Sequence, residues 1–246
     1  MKMLGIDIGG SGIKGAPVDT DTGTLLESRF RLPTPSPAKP VAVAETVGEI
    51  ADHFNWKGRL CIGFPGVVRK GVTLTAANIH EDWVGLNAAK HIKKVTGRKT
   101  CIINDADAAG LAEMAFGAGK ERRGVVLVVT IGTGLGTALF TDGYLLPNCE
   151  FGHLEMDGVE AEWYASDAAR KRENLTWEKW GQRFDRYLQT MERLIWPDLI
   201  ILGGGVSKKF DLYRPYITVK AEVLPAQMLN EAGIVGAAVG ACKYGA

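Results

Sequence analysis

Cysteine is scarce in this chain. Its four cysteines, Cys61, Cys101, Cys149 and Cys242, stand far apart in 246 residues, and no CxxC pair occurs. That excludes a zinc knuckle and a CxxC redox motif, and it predicts reduced thiols in a cytoplasmic protein. No apolar run is long enough to span a bilayer, so a membrane is not an expected partner. Met1 to Ile8 is too short, and too soon interrupted by Asp7, to be a signal peptide. Neither sign of charge dominates, with 29 Lys and Arg against 28 Asp and Glu. No general field recruits nucleic acid, and a polyanion would have to be met by a local basic patch.

Glycine, by contrast, is plentiful at 31 residues, and it falls at strand ends. Met3–Ile8 reads as a buried strand, Gly9-Gly10-Ser11-Gly12 as a turn and Ile13–Val18 as a second strand. A third strand is expected over Thr24–Phe30. A proline-marked loop leads to a helix near Val41–Phe54, and Leu60–Phe64 reads as a strand ending at Pro65-Gly66. Ala88–Thr96 reads as a helix stopped by Gly97, Thr100–Asn104 as a strand, and Asp105–Phe116 as a helix. The second half repeats the opening. Val125–Ile131, the turn Gly132-Thr133-Gly134-Leu135-Gly136 and Thr137–Thr141 lay Thr130–Asp142 in phase over Asp7–Asp19. This weak repeat predicts a duplicated α/β fold with two lobes and a cleft. The lobes are expected over residues 1–104, completed by a small-residue helix in 232–246, and over residues 105–231.

Three glycine turns carry the first chemistry. The turn after Ile8 is not a dinucleotide fingerprint, because Gly15 and Pro17 interrupt any following helix. It is not a P-loop, because Gly-Lys-[Ser/Thr] is missing. It reads as a hairpin tip whose backbone N–H groups can converge on an anion. Gly9, Gly10, Ser11, Gly12 and Lys14 are the phosphate candidates there. Asp7, at the strand end, can hold Mg²⁺ through water. Thr130, Gly132, Thr133 and Gly134 offer a second cradle, with a further hydroxyl from Thr137. Gly204 and Gly205, in the triple glycine after Leu199–Leu202, offer a third.

Asp105 stands where a strand gives way to a helix. It or Asp107 can serve as a helix cap, or Asp105 can be a general base that takes a proton from a hydroxyl. Cys149-Glu150-Phe151-Gly152-His153-Leu154-Glu155 is a second polar knot. It lacks the partner motif of zinc deaminases. His153 and Glu155 can form a surface pair, or Glu150 and His153 can hold a polyhydroxylated ligand. After a cap at Thr176, the residues Trp177, Trp180, Phe184, Tyr187, Leu188, Met191 and Ile195 recur at helical spacing. That stripe reads as core or as a subunit interface.

Together these segments resemble the ROK (repressor, open reading frame, kinase) sugar kinases of the actin-like ATPase superfamily, which share a ribonuclease H-like core. The likeness runs the length of the chain. Asp7–Lys14 resembles the first phosphate motif, Gly63-Phe64-Pro65-Gly66-Val67 the sugar-side G-x-P-G turn, and Asn104-Asp105-x-x-Ala108 the catalytic N-D-x-x-A. Thr130–Gly136 resembles the second phosphate motif, and Glu150-x-Gly152-His153 the sugar-binding E-x-G-H. Gly203–Ser207 resembles the segment near the nucleotide in ATP-using members. Asn148–Gln189 and Ala232–Gly236 are similar to the polyphosphate-using glucokinases within the family.

The resemblance implies Asp105 as catalytic base. It implies a glucose site of Asn78, Asn104, Asp105, Glu150, His153 and Glu162, with Mg²⁺ as cofactor. It also implies inorganic polyphosphate and ATP as candidate donors, and a homodimer. A polyphosphate track is expected over Lys14, Arg170, Lys171, Arg172, Lys208 and Lys209. An ATP-dependent hexokinase and a non-catalytic sugar sensor are the rival readings. In one respect the chain departs from the family. Typical members place a cysteine-rich zinc site after the E-x-G-H histidine, and Leu154–Ala161 holds no cysteine. Cys149 and His153 alone cannot close a structural tetrahedral site. Elemental analysis after chelator dialysis is expected to find less than about 0.1 zinc per chain. A full equivalent would contradict it.

Overall fold

Apolar runs too short for helices, separated by glycine turns, build the first sheet. Lys2–Ile8 (β1) and Ile13–Asp19 (β2) pair antiparallel from Ile8↔Ile13 to Lys2↔Asp19, so Asp7 stands across from Lys14. The expected third strand is split in two. Thr24–Leu25 (β3) and Phe30–Leu32 (β4) both pair with β2. Between them Leu26, Glu27, Ser28 and Arg29 are exposed, because this mostly polar stretch cannot sustain a buried strand. Pro40–His53 forms α1 with proline at its start. Leu60–Phe64 (β5) follows, then the short pair Val68–Arg69 (β6) and Val72–Thr73 (β7). In α2, Ala88–Thr96, the Asn87 side chain accepts from the Lys90 N–H, and left-handed Gly97 ends the helix. Thr100–Asn104 (β8) runs directly into Asp105–Phe116 (α3).

The computed structural model describes residues 1–244, apart from the side chain of Cys242. It divides into two compact units. One is Met1–Phe116 with the segment from Glu231 onward, and the other is Gly117–Asn230. The division falls one helix later than the expected boundary after Asn104.

In the first unit the strand order is β3-β2-β1-β5-β8, with β1, β5 and β8 parallel. Leu4, Ile6, Ile8, Ile62 and Phe64 pack against Val43, Val47 and Ile50 of α1 and against Trp83, all fully buried. The C-terminal helix, Ala232–Tyr244, closes the other side with Ala237 and Ala241 against Cys61, Cys101, Ile103 and Ala108. Its glycines permit backbone contact. A Cβ on Gly236 would stand 1.5 Å from the Ala108 carbonyl oxygen of α3, and one on Gly5 would stand 2.0 Å from that of Ile234.

The second unit is built from Val125–Ile131 (β9), Leu135–Thr141 (β10), Tyr144–Leu146 (β11), Glu155–Met156 (β12), Val159–Glu160 (β13), Ala161–Ala165 (α4), Asp167–Arg172 (α5), Trp177–Ile195 (α6), Leu199–Gly204 (β14), Phe210–Tyr213 (α7) and Glu222–Pro225 (β15). Its main sheet runs β11-β10-β9-β14-β15, with β9, β14 and β15 parallel. Hairpin, edge strand and two parallel strands thus recur in both sheets, the duplication expected of the actin-like ATPase fold. The aromatic stripe of α6 is core. Trp180, Phe184, Tyr187, Leu188 and Met191 are fully buried against Leu127, Val129, Ile200 and Leu202. Trp180 stacks on Phe184 and donates its indole N–H to the Ala165 and Ser166 carbonyls.

The approach at Gly236 is the tightest packing demand in the first unit. Gly236→Ala is expected to cost about 3 kcal/mol or more, since a methyl there overlaps backbone that cannot rotate away. Gly48→Ala, on α1, meets only the Thr96 methyl at 3.6 Å. It is expected to be neutral or stabilising by up to about 1 kcal/mol. Urea denaturation of both variants tests the contrast.

Candidate active site

The C-terminal ends of β1, β5 and β8 carry the first group of polar residues. Strand register sets Asp7 beside Gly63 and Gly63 beside Ile103. The Asp7 carboxylate is 3.0 Å from the Lys14 ammonium. A Cβ on Gly233 would stand 2.5 Å from Asp7 Oδ2, so the carboxylate lies on the first turn of the C-terminal helix. Backbone dipoles there favour negative charge. Between β1 and β2 the Gly9 N–H donates to the Gly12 carbonyl at 3.1 Å and closes the turn. Asn78, in a left-handed conformation, packs its backbone on Gly10.

Asn104 is buried and holds two elements at once. Its Oδ1 accepts from the Asp107 N–H at 2.9 Å, and its Nδ2 donates to the Gly66 carbonyl at 3.1 Å. The capping role open to Asp105 or Asp107 therefore belongs to Asn104. Asp105 is partly buried at the first position of α3, where its Oδ1 accepts from the Ala106 N–H. The Pro65-Gly66 turn is fastened in turn to residues 75–77. The Val67 N–H donates to Thr75 Oγ1 and the Ala77 N–H to the Pro65 carbonyl. This chain of bonds runs from Asn104 to the residue before Asn78.

In the second unit the β9–β10 turn closes by a bond from the Gly132 N–H to the Gly134 carbonyl at 3.0 Å. The Gly132 carbonyl accepts from the Ala168 N–H of α5, and the Ile131 carbonyl from the Gly205 N–H. Gly204 is left-handed, and a Cβ there would stand 2.2 Å from the Ile131 carbonyl oxygen. The third glycine turn thus packs on the second. Thr133 is exposed at the tip, and Thr130 is partly buried. Thr137 does not join the cradle. Its buried hydroxyl donates to the Cys149 carbonyl and accepts from the Phe151 N–H, which fixes the backbone on either side of Glu150.

Around that backbone Glu150, His153 and Glu162 gather. A Cβ on Gly134 would stand 2.2 Å from Glu162 Oε2, so the carboxylate rests on the turn. His153 Nε2 is 4.0 Å from Glu150 Oε2, and its Nδ1 is 3.2 Å from Glu160 Oε1. The histidine therefore pairs with Glu160 and not with Glu155. One ligand atom each from His153, Glu160 and Glu162 lie within 4.8 Å of one another. Burial pushes the Glu150 carboxyl above the usual carboxylate range, with Glu162 adding to the effect and His153 opposing it. Glu160 was absent from the expected set. Its signal was Asp157-Gly158, a two-residue turn with both residues at positive φ that pairs Met156 with Val159 and returns Glu160 beside His153.

The basic run on α5 is largely neutralised. Asp167 binds both Arg170, at 2.8 Å, and Lys171, at 2.7 Å. Arg172 binds Glu173 and stacks on Trp163, while Arg170 stacks on Trp177. Lys208 and Lys209 are exposed in a short turn after the triple glycine.

The sequence profile of the ROK family matches residues 3–163. The chain belongs to the ROK family. Polyphosphate glucokinase of Mycobacterium tuberculosis is 49% identical to it over 96% of this chain and 89% of the relative. The Mycobacterium leprae polyphosphate glucokinase is 45% identical over 96% of this chain and 73% of the relative. Among solved structures, the inorganic polyphosphate/ATP-glucomannokinase of Arthrobacter sp. strain KM superposes with a TM-score of 0.94 at 44% identity, covering 98% of both chains. A ROK family glucokinase from Streptomyces griseus, solved with glucose and AMPPNP, shares the fold at a TM-score of 0.84 and 24% identity.

A raised carboxyl is a pH-dependent strain on the fold. Glu150 costs nothing below the ordinary glutamate pKa, where it is neutral folded or unfolded. Its charged form weakens the folded state as pH rises through the elevated value. Glu150→Gln is therefore expected to raise Tm at pH 7 by about 1–2 °C and to leave it unchanged near pH 4. Scanning calorimetry at the two pH values checks this.

Proposed function

We propose that this protein is a polyphosphate-dependent glucokinase. It transfers a phosphoryl group from inorganic polyphosphate to the 6-hydroxyl of glucose in the cytoplasm. The likeness to polyphosphate glucokinases over nearly the whole chain carries this reading. Asp105 takes the hydroxyl proton as the sugar oxygen attacks the terminal phosphorus, and the P–O bond to the rest of the chain breaks to release polyphosphate one unit shorter. The negative charge suited to a base is favoured at the start of α3. Glucose is bound by Asn78, Asn104, Asp105, Glu150, His153 and Glu162. Of these, Asn104 acts through the backbone it fixes, and Glu150, His153 and Glu162 supply acceptors and a donor for sugar hydroxyls. Glu160, 3.2 Å from Nδ1, orients the His153 ring. The donor phosphates are cradled by Gly9, Gly10, Ser11, Gly12 and Lys14 and by Thr130, Gly132, Thr133, Gly134, Gly204 and Gly205. Positioning and charge carry the rate, and no covalent intermediate on the protein is needed.

Asp7 fits Mg²⁺. It is a hard oxygen donor at the end of β1, and its ion pair with Lys14 favours contact through water. Bound there, the ion would neutralise donor charge. The protein acts as a homodimer. No helix among the described residues is long and apolar enough to cross a membrane.

The name of the Arthrobacter relative favours a second, broader reading, in which ATP also serves as donor and mannose as acceptor. Separate assays of sugar 6-phosphate formation with polyphosphate and with ATP decide the donor. Turnover with ATP alone would replace this reading with an ATP-dependent hexokinase, and turnover with neither would leave a sugar sensor. The polyphosphate KM is expected to rise steeply with salt, as counterion release requires.

Asp105→Asn is expected to lower kcat by at least about a thousandfold while glucose affinity stays within about tenfold. Single-turnover kinetics and glucose titration separate the two effects. A variant retaining a tenth of the wild-type kcat would remove Asp105 from the role.

A further inference from the structure

The first phosphate turn is held from outside by two side chains that none of the motifs includes. Arg31 Nη2, on β4, donates to the Ser11 carbonyl at 2.8 Å. Thr34 Oγ1, two residues past β4, donates to the Gly9 carbonyl at 2.5 Å. The Arg31 guanidinium also lies flat on Gly12. A Cβ there would stand 2.3–2.5 Å from Nη2, Nε and Cζ, so only glycine admits the arginine.

These bonds decide which way the turn faces. A trans peptide is planar, and its N–H points opposite its carbonyl. The Gly9 carbonyl shares a peptide unit with the Gly10 N–H, and the Ser11 carbonyl shares one with the Gly12 N–H. Both carbonyls are drawn toward residues 31–34, so both N–H groups are turned to the opposite side. Among the described residues, neither N–H donates to a protein acceptor. The Gly9 N–H is already spent on the Gly12 carbonyl. A glycine turn without such ties would sample conformations that present carbonyl oxygens to an anion.

We propose that Arg31 and Thr34 are positioning residues for the phosphoryl donor. They clasp the outward carbonyls of the Gly9–Gly12 turn and so preset the Gly10 and Gly12 N–H groups for a phosphate oxygen. The inference rests on the reading of this turn as a phosphate site. It does not depend on which phosphate chain is the natural donor.

The test uses the whole protein and inorganic tripolyphosphate as probe, titrated by calorimetry in saturating glucose. Thr34→Val keeps the side-chain shape but removes the donor, and Thr34→Ser keeps the donor. Thr34→Val is expected to weaken tripolyphosphate binding about tenfold, with Thr34→Ser within about twofold of wild type. Arg31→Ala is expected to weaken it at least as much as Thr34→Val. Glucose affinity should stay within about twofold in all three. The salt dependence of tripolyphosphate binding should be unchanged in Thr34→Val, because no charge is lost. Three outcomes would overturn the clasp: Thr34→Val binding like wild type, equal losses of glucose and tripolyphosphate affinity, or a wild type that binds no tripolyphosphate. Turnover with ATP in place of polyphosphate would overturn the donor assignment alone. The same loss in Thr34→Val would still be required.

Discussion

The first unit depends on two helices touching backbone to backbone. Ordinary helices stand 8–10 Å apart because side chains separate them. Along the C-terminal helix the side chains are missing where they would intrude. Gly233 admits the Asp7 carboxylate, Gly236 admits the Ala108 carbonyl, and Gly240 admits the Leu111 side chain. On β1, Gly5 lets the same helix settle on the strand. Asp7 ends one of these contacting elements and Asp105 begins another. The placement of both carboxylates therefore follows from packing that only hydrogen-sized side chains allow. Asn104 completes the arrangement by joining the start of α3 to the Pro65-Gly66 turn.

The second unit places its carboxylates under a different regime. Asp7 sits beside a lysine, whereas Glu150 sits partly buried near another carboxylate, with a histidine as counterweight. Such an arrangement costs stability in exchange for a cluster of polar side chains. That trade is common where a fold is built to bind and not only to persist. Thr137 bears some of the burden, since its hydroxyl fixes the backbone from which Glu150 projects.

Most of the regular elements were legible because their signals are local. Ala88–Thr96 carries a side-chain cap and a left-handed glycine stop, and Trp177–Ile195 carries a threonine cap and a long apolar stripe. The repeat of strand, glycine turn and strand became two sheets of one topology. What the sequence concealed depends on tertiary partners. The break between β3 and β4 reflects an exposed stretch with too little to bury. Thr137 looked like a cradle hydroxyl, because nothing near it in sequence foretells the Cys149 carbonyl. The α5 cations looked available, because the carboxylate Asp167 that binds two of them reads from sequence as one more charge on a solvated helix. Arg31 and Thr34 were invisible as partners of the first turn, since their role lies in carbonyls twenty or more residues away.

The helix that seals the first unit is separated from α3 by the whole of the second. During synthesis β1 to α3 emerge first, and their glycine-lined seat stays empty while Gly117–Asn230 is made. A domain can fold as it leaves the ribosome, and the second unit holds all of its own strands. The first cannot do so until its last helix arrives. A chain stalled anywhere before Glu231 would expose the apolar faces of Cys61, Ile103 and Ala108 to water. Arrival of the Ala232–Tyr244 helix, and not merely of the motifs before it, sets the moment at which Asp105 is locked in place.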